Sequence, residues 1–330
     1  MKKKIITGII GYGVVGQLRH SFLEKNKKYS VKYISDLLFK KNHEKKSIYY
    51  FKKYIDLLNK KDLNAVFITL PNYLAPIVTK QALKKNLHVF CEKPPAKNVK
   101  DLKSVINIEK KFKSLKLKYG FNHRYHGSVM KAKEILNSKQ LGEIVNIRAV
   151  YGKSKIVTFN KNDWRAQKRF SGGGILLDQG IHLIDLILFF HGNFIKFKSF
   201  ISNKFWKYDV EDNAFSIMRD KKGVIASIHS TATQWEHKFS IEITCQKGML
   251  ILSGILSSTK SYGKEQLIVL NKIKNGIMKK YFTFKNDHSW KNEIEDFAKL
   301  INNNDKVKIG SSFQALRAME VIEKIYKSGN

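Results

Sequence analysis

Three stretches of this 330-residue chain combine residue types that do chemistry at spacings that let them act together. The first is Gly11-Tyr12-Gly13-Val14-Val15-Gly16, a G-x-G-x-x-G pattern between an apolar run and a helix signal, with Asp36 20 residues beyond Gly16. There Gly11 permits a tight turn, Gly13 lets backbone approach a pyrophosphate, and Gly16 allows close helix–strand packing. The helix N-terminus offers unbonded N–H groups and a positive dipole end to the anion. Asp36 is placed to accept from an adenosine ribose and to repel a 2′-phosphate, which favours NAD; Lys40 and Lys41 keep NADP open. The second stretch is Cys91-Glu92-Lys93-Pro94-Pro95, in which Lys93 has the chemistry to hydrogen-bond a reacting hydroxyl; Leu70-Pro71-Asn72 and Glu92 line the same expected cofactor crevice. The third runs from Gly172-Gly173-Gly174 through Asp178 and His182 to Asp185. On a helix, Asp178 and His182 are i, i+4 neighbours. Histidine is suited to taking a proton near neutral pH, with Asp178 or Asp185 fixing its tautomer. A hydrogen-bonded core histidine and an Asp-His-Asp metal site are the competing readings. Asn122, Arg124, Trp164 and Arg165 join the candidates because this chain uses Lys almost wherever it can. An Arg kept against that bias suggests a planar, bidentate donor for hydroxyls, carboxylate or phosphate.

These groups need a scaffold, and the pattern of apolar residues describes one. Up to about residue 121, strand signals at Ile5–Ile10, Val31–Ser35, Ala65–Leu70, Leu87–Cys91 and Lys116–Phe121 alternate with helix signals after Gly13 and over Ile77–Lys85 and Asp101–Phe112. That alternation predicts an α/β domain with a doubly wound, mostly parallel sheet. From residue 122 to 330 a helix signal at Val129–Leu136 precedes strand signals at Ile144–Tyr151, Phe194–Ile201, Ala214–Met218, Val224–His229, Phe239–Thr244, Met249–Ile251 and Leu267–Ile273. This predicts a second domain of α+β type with an antiparallel sheet. Terminal helices are expected over Trp290–Ile301 and Ser311–Tyr326, the last able to pack back on the first domain.

Composition bounds the function. With 43% hydrophobic and 27% charged residues the chain is globular rather than disordered. The net charge of +35 invites nucleic acid as a partner. Against it, the basic residues are nearly all Lys, are spread along the whole chain, and accompany no nucleic-acid-binding motif, so no nucleic-acid partner is expected. Two distant cysteines, Cys91 and Cys245, build no disulfide framework and suit a reducing cytoplasm. The basic start followed by a glycine-interrupted apolar run is not read as a secretory leader. The longest apolar region, Ile175–Phe190, carries Asp178, His182 and Asp185, so no membrane span is expected.

The glycine pattern near the start, Pro71-Asn72, Glu92-Lys93-Pro94, Asn122 with Arg124, Trp164-Arg165 and the glycine run leading to Asp178 and His182 together resemble the Gfo/Idh/MocA oxidoreductases. The resemblance implies a Rossmann domain joined to a domain with an open, mainly antiparallel sheet. That sheet commonly forms a homo-oligomer interface, giving a dimer or tetramer. It further implies hydride transfer between NAD and a hydroxyl of a sugar, sugar nucleotide or cyclitol. Lys93 and His182 are then the catalytic pair, converging on the nicotinamide, and Asp178 their substrate or catalytic partner. Many members carry a His soon after Pro-Asn. Here Tyr73-Leu74-Ala75-Pro76 supplies none, which puts contacts built on that His in doubt. Redox-assisted hydrolysis or elimination on the same scaffold, and a non-catalytic NAD(H) sensor, are the alternative functions.

Overall fold

The structure is a computed structural model that describes residues 3–154, 160–257 and 262–329. It divides into two compact units, one of Met1–Phe121 with Trp290–Leu316, the other of Asn122–Ser289 with Arg317–Asn330.

In the first unit the chain runs β1 (Ile5–Ile10), α1 (Val14–Glu24), β2 (Tyr29–Ser35), β3 (His43–Lys45), β4 (Ile48–Phe51), α2 (Tyr54–Leu58), β5 (Ala65–Ile68), α3 (Ala75–Lys84), β6 (His88–Glu92), α4 (Val99–Glu109) and β7 (Leu117–Gly120). The sheet order is β3-β4-β2-β1-β5-β6-β7, all parallel except the β3–β4 edge hairpin. Strands buried on both faces must be apolar throughout, and β5, Ala-Val-Phe-Ile, is buried at every position. Ile9, Ile34, Phe67 and Phe90 form the core with Ile294 and Phe297 of a helix from late in the chain. The order reverses direction between β1 and β5, so a crevice opens beyond the carboxyl ends of those strands.

The second unit runs α5 (Gly127–Asn137), β8 (Ile144–Ser154), α6 (Lys168–Ser171), α7 (Ile181–Phe190), β9 (Lys196–Ser202), β10 (Asn213–Arg219), β11 (Ile225–Gln234), β12 (Lys238–Cys245), β13 (Gly248–Ser253), β14 (Glu265–Ile273) and β15 (Gly276–Phe284). The chain then closes with α8 (Ser289–Asn303) and α9 (Ser312–Ser328), each of which crosses the unit division. The eight strands form one open sheet, β15-β14-β13-β12-β8-β11-β10-β9, antiparallel save for β8 beside β11. Burial alternates along β10 and β12, as expected for a sheet with one covered face. The helical stretch Lys168–Phe190 is long and apolar enough to cross a membrane, but 83% of its apolar window is buried within the protein.

The first unit also buries charge. The Arg19 guanidinium, fully enclosed, donates from Nε to Glu92 Oε1 at 2.6 Å and from Nη2 to Glu293 Oε2 at 2.6 Å. It lies between the faces of Phe90 and Trp290, 4.4 and 4.2 Å from their centroids. Burial pushes the Glu293 carboxyl up to about 7; the Arg19 charge pulls it down and Glu92 pushes it up. An unfolded chain releases this proton near the ordinary value of 4.5. Between the two pH values the folded state holds a proton the unfolded state has lost, so stability from this group falls as pH rises through the window. Urea unfolding of Glu293→Gln across that window is therefore expected to show a less negative dependence of unfolding free energy on pH than the parent. Parallel slopes would contradict the assignment.

Candidate active site

The glycine turn leaves β1 with Gly11 at φ +90°, a left-handed conformation that favours glycine. A Cβ on Gly11 would sit 2.6 Å from the Thr69 carbonyl oxygen, and the Thr69 hydroxyl donates to the Gly11 carbonyl at 2.6 Å. A Cβ on Gly16 would strike the Gly11 carbonyl oxygen at 2.2 Å, so α1 packs on the turn only with glycine there. Gly13 differs: nothing lies within 4 Å of its Cβ position, and both it and Val14 are exposed. The open space lies at the start of an 11-residue helix whose first turn, including Val14 and Val15, has N–H groups without intrahelical acceptors. Backbone donors beside open space fit a dinucleotide pyrophosphate.

Asp36 follows β2. Its Oδ2 accepts from the Tyr12 N–H at 2.6 Å and its Oδ1 from Leu38 N–H at 2.9 Å. Each carboxylate oxygen has a second lone pair, so ribose hydroxyls can still be accepted. The Tyr12 hydroxyl meets His20 Nδ1 at 2.6 Å, and its ring packs against Phe39 and Tyr50. Leu70, Pro71 and buried Asn72 follow β5, and the Leu70 side chain lies against the glycine turn. Lys93, half-buried, follows β6 and precedes buried Pro94. Thus the turn, Asp36, Leu70–Asn72 and Lys93 all stand at the carboxyl ends of four neighbouring parallel strands. The Glu92 carboxylate is the partner of Arg19, which ties α1 to the end of β6.

In the second unit the glycine run enters the helix through a buried acid. Glu211 accepts N–H bonds from Gly174 at 2.8 Å and Leu176 at 3.0 Å, and a hydroxyl bond from Tyr326 at 2.8 Å. Burial raises its affinity for a proton while these donors lower it. A Cβ on Gly173 would collide with the Tyr326 hydroxyl at 2.0 Å, and one on Gly174 with the Glu211 carbonyl oxygen at 2.1 Å. The run is glycine because this anchor has no room for side chains. Residues Leu176–Gly180 form a π-helical turn that passes into α7. Such turns recur at functional sites.

Asp178 is half-buried on that turn, and its charge reaches the Tyr151 and Tyr262 hydroxyls. Burial and Asp178 together raise both, Tyr262 to about 12. Tyr262 also meets Gln179 Oε1 at 3.3 Å. His182, buried at 4% exposure, stacks on His123 with ring centroids 3.7 Å apart and planes 14° apart. His123 Nδ1 meets Asn122 Oδ1 at 3.2 Å, and its Nε2 meets the Tyr151 hydroxyl at 3.2 Å. Asn122 also donates to Ser289 Oγ at 3.2 Å. The amide of this sequence-predicted residue is therefore engaged in positioning its neighbour.

Arg124 has an internal carboxylate as partner. Its Nε and Nη2 donate bidentately to Asp185 at 2.7 and 2.6 Å, with both side chains enclosed and Phe189 4.8 Å from the guanidinium. The planar donor inferred from the Lys bias is real, but its carboxylate is internal. Asp185 is accordingly not the group that orients His182. Trp164 and Arg165 are half-buried and stacked on each other at 4.4 Å, on a short 3-10 turn capped by Asp163. No group of three or more His, Cys, Asp or Glu side chains among the described residues is arranged to hold a metal ion. Sequence reasoning missed His123, Tyr151, Tyr262, Glu211 and Thr69. Only His123 carried a signal, standing between two residues already singled out.

A parallel sheet with this turn at its switch point defines a dinucleotide-binding oxidoreductase fold. Residues 5–121 match the model of the oxidoreductase family with NAD-binding Rossmann fold, and residues 129–251 match the GFO/IDH/MocA C-terminal domain. The chain belongs to the Gfo/Idh/MocA family of NAD-binding oxidoreductases. It is 24% identical over 316 residues to the uncharacterized oxidoreductase YrbE of Bacillus subtilis, covering 93% of this chain and 89% of that one. It is 37% identical over 93 residues to inositol 2-dehydrogenase of Salmonella typhimurium, covering 28% of each. The solved structure of levoglucosan dehydrogenase in complex with NADH and levoglucosan superposes with a TM-score of 0.85 at 18% identity, covering 99% of this chain and 97% of that one.

The two glycines facing opposite surroundings give a direct test of the cradle. Gly13→Val is expected to leave thermal unfolding unchanged while weakening NADH binding at least about tenfold, because its side chain fills only the space a pyrophosphate would use. Gly16→Val is expected to lower the unfolding temperature itself. Calorimetry on both variants checks this; equal NADH affinity in Gly13→Val and parent would remove the cradle.

Proposed function

We propose that this chain transfers a hydride between NAD and a secondary hydroxyl of a sugar, sugar nucleotide or cyclitol. The observation that carries the reading is the setting of His182. It is a buried imidazole on a helical segment shared with Asp178, in a wall of His123 and Tyr151. When bound, the nicotinamide supplies the hydride acceptor or donor. His182 takes the hydroxyl proton as general base and returns it in reduction. Asp178 holds a negative charge beside the site, favours the imidazolium that forms, and offers a carboxylate to a substrate hydroxyl. Lys93 donates a hydrogen bond to the oxygen on which charge develops and stabilises the alkoxide. Trp164 and Arg165 provide an apolar face and a cation for the remainder of the sugar. Asp36 favours NAD over NADP by its charge.

The site residues of both units act in one enzyme, and we place it in the cytoplasm, in keeping with two buried, unbridged thiols at Cys91 and Cys245. We further place a second copy of the chain against the open face of the eight-stranded sheet. There Phe200 and Phe215 are register neighbours, and Ile217 and Ile225 extend the same exposed apolar surface.

Two measurements check these assignments. His182→Ala and Lys93→Ala are each expected to lower NAD turnover on a panel of sugars, sugar phosphates and cyclitols by about 10²–10⁴-fold. NADH binding should persist in His182→Ala. Near-parental turnover in both would end the mechanism. Phe215→Lys is expected to convert a dimer or tetramer to a monomer by sedimentation velocity, whereas a parent that already sediments as a monomer would reject the interface.

A further inference from the structure

The residue between Asn122 and Arg124 has no role in the mechanism so far, yet it makes the closest ring contact to the proposed base. His123 is buried on the 3-10 turn Asn122–Tyr125 and is fixed through both nitrogens. The Asn122 amide meets one ring nitrogen and the Tyr151 hydroxyl the other, so the plane of the ring is fixed from both edges. Around the stack Phe239 packs edge-on at 6.2 Å from the His123 centroid and Tyr151 lies tilted at 5.7 Å. The next histidine, His126, packs edge-on against His123 with centroids 5.5 Å apart and is itself held by Glu265, whose Oε2 lies 2.9 Å from Nδ1 and whose Oε1 accepts from Ser128 N–H.

We propose that His123 is a positioning residue for His182: its ring, pinned by Asn122 and Tyr151, sets the plane of the His182 imidazole and opposes a second positive charge on the pair. Two parallel imidazoles at 3.7 Å cannot both become cations at ordinary cost, because like charges that close disfavour each other. The second proton on the pair therefore binds only at lower pH than the first, as a coupled titration. The titratable and charged groups around it are Asp178 on the π-helical turn, Tyr151 on β8, Tyr262 facing Tyr151, the His126–Glu265 pair and, on α7, Asp185 already paired with Arg124. Asp178 adds a negative charge on this side of the stack, which favours the first proton and leaves repulsion between the rings intact. The inference rests on His182 being the base, but its test does not need a substrate.

The experiment is a histidine-ring NMR titration of the full chain. His123 and His182 are assigned from His123→Phe and His182→Phe, both of which keep a ring in the stack. Removing one imidazole is expected to raise the titration midpoint of the other by about one pH unit in at least one of the two variants. Tyr151→Phe, which keeps the packing and frees His123 Nε2, is expected to alter the tautomer signature of His123 and weaken the coupling. Midpoints unchanged in every variant would overturn the proposal. If the rings prove coupled while His182→Ala keeps parental turnover, the positioning stands and the assignment of His182 as base falls.

Discussion

The helix that presents Asp178 and His182 begins on a buried carboxylate, and the second unit is organised around that fact. Glu211 receives two backbone N–H groups from the glycine run and the hydroxyl of Tyr326. A carboxylate taken out of water needs such donors, or it neutralises or moves. With them, it fixes the first turn of a segment that would otherwise enter the helix through three consecutive glycines, the residues with most conformational freedom to lose. The same bonds dictate the glycines, since side chains at Gly173 or Gly174 would displace Tyr326 or the Glu211 backbone. An anchor formed between a loop acid, a glycine run and the last helix draws on three separate parts of the chain. The segment it fixes then carries His182, the proposed base, and Asp178, whose directions matter to any chemistry they do.

Much of the scaffold was legible in the residues. Each strand signal in the first 121 residues corresponds to an observed strand, because buried parallel strands are apolar along their length and end in turn residues. The pieces that escaped are β3, β4, α2, α6 and β15. The first four are short. β15, Gly-Ile-Met-Lys-Lys-Tyr-Phe-Thr-Phe, is an edge strand exposed at most positions, so it has no alternation to read, and its paired lysines suit a guarded edge. The parallel β8–β11 pairing also lay outside an antiparallel expectation. Nothing in either strand's sequence records its neighbour's direction.

The candidate site was legible where the chemistry is backbone chemistry and less so where it is side-chain pairing. The three glycines of the turn meet different environments: Gly11 and Gly16 are crowded by backbone, while Gly13 has open space at its Cβ position. Arg124 and Glu92 show the opposite case. Scarcity of Arg in a Lys-rich chain correctly marked positions needing a planar fork, since guanidinium fits a carboxylate bidentately where ammonium does not. It could not say whether that carboxylate belongs to a substrate or to the protein. Arg19 and Arg124 both turned out to face internal acids, Glu92 with Glu293 and Asp185 respectively. Partners 61 to 274 residues distant in sequence leave no local pattern.

Those enclosed ion pairs bear on the site indirectly. A buried pair is weak evidence of added stability, because desolvation offsets much of the attraction. Its consequence is geometric: removing either member strands a charge, so the elements that carry them are held in one register. Arg19 holds α1, whose N-terminus closes the glycine cradle, to the end of β6, the residue before Lys93. Arg124 holds the turn bearing Asn122 and His123 to α7, which bears His182. In each unit a fully enclosed arginine thus ties one element of the candidate site to another, and the residues proposed to do chemistry stand beside the pair rather than in it. The high positive charge of the chain has no part in this arrangement. It resides mainly in lysines, while the site is framed by the few arginines that the composition retains.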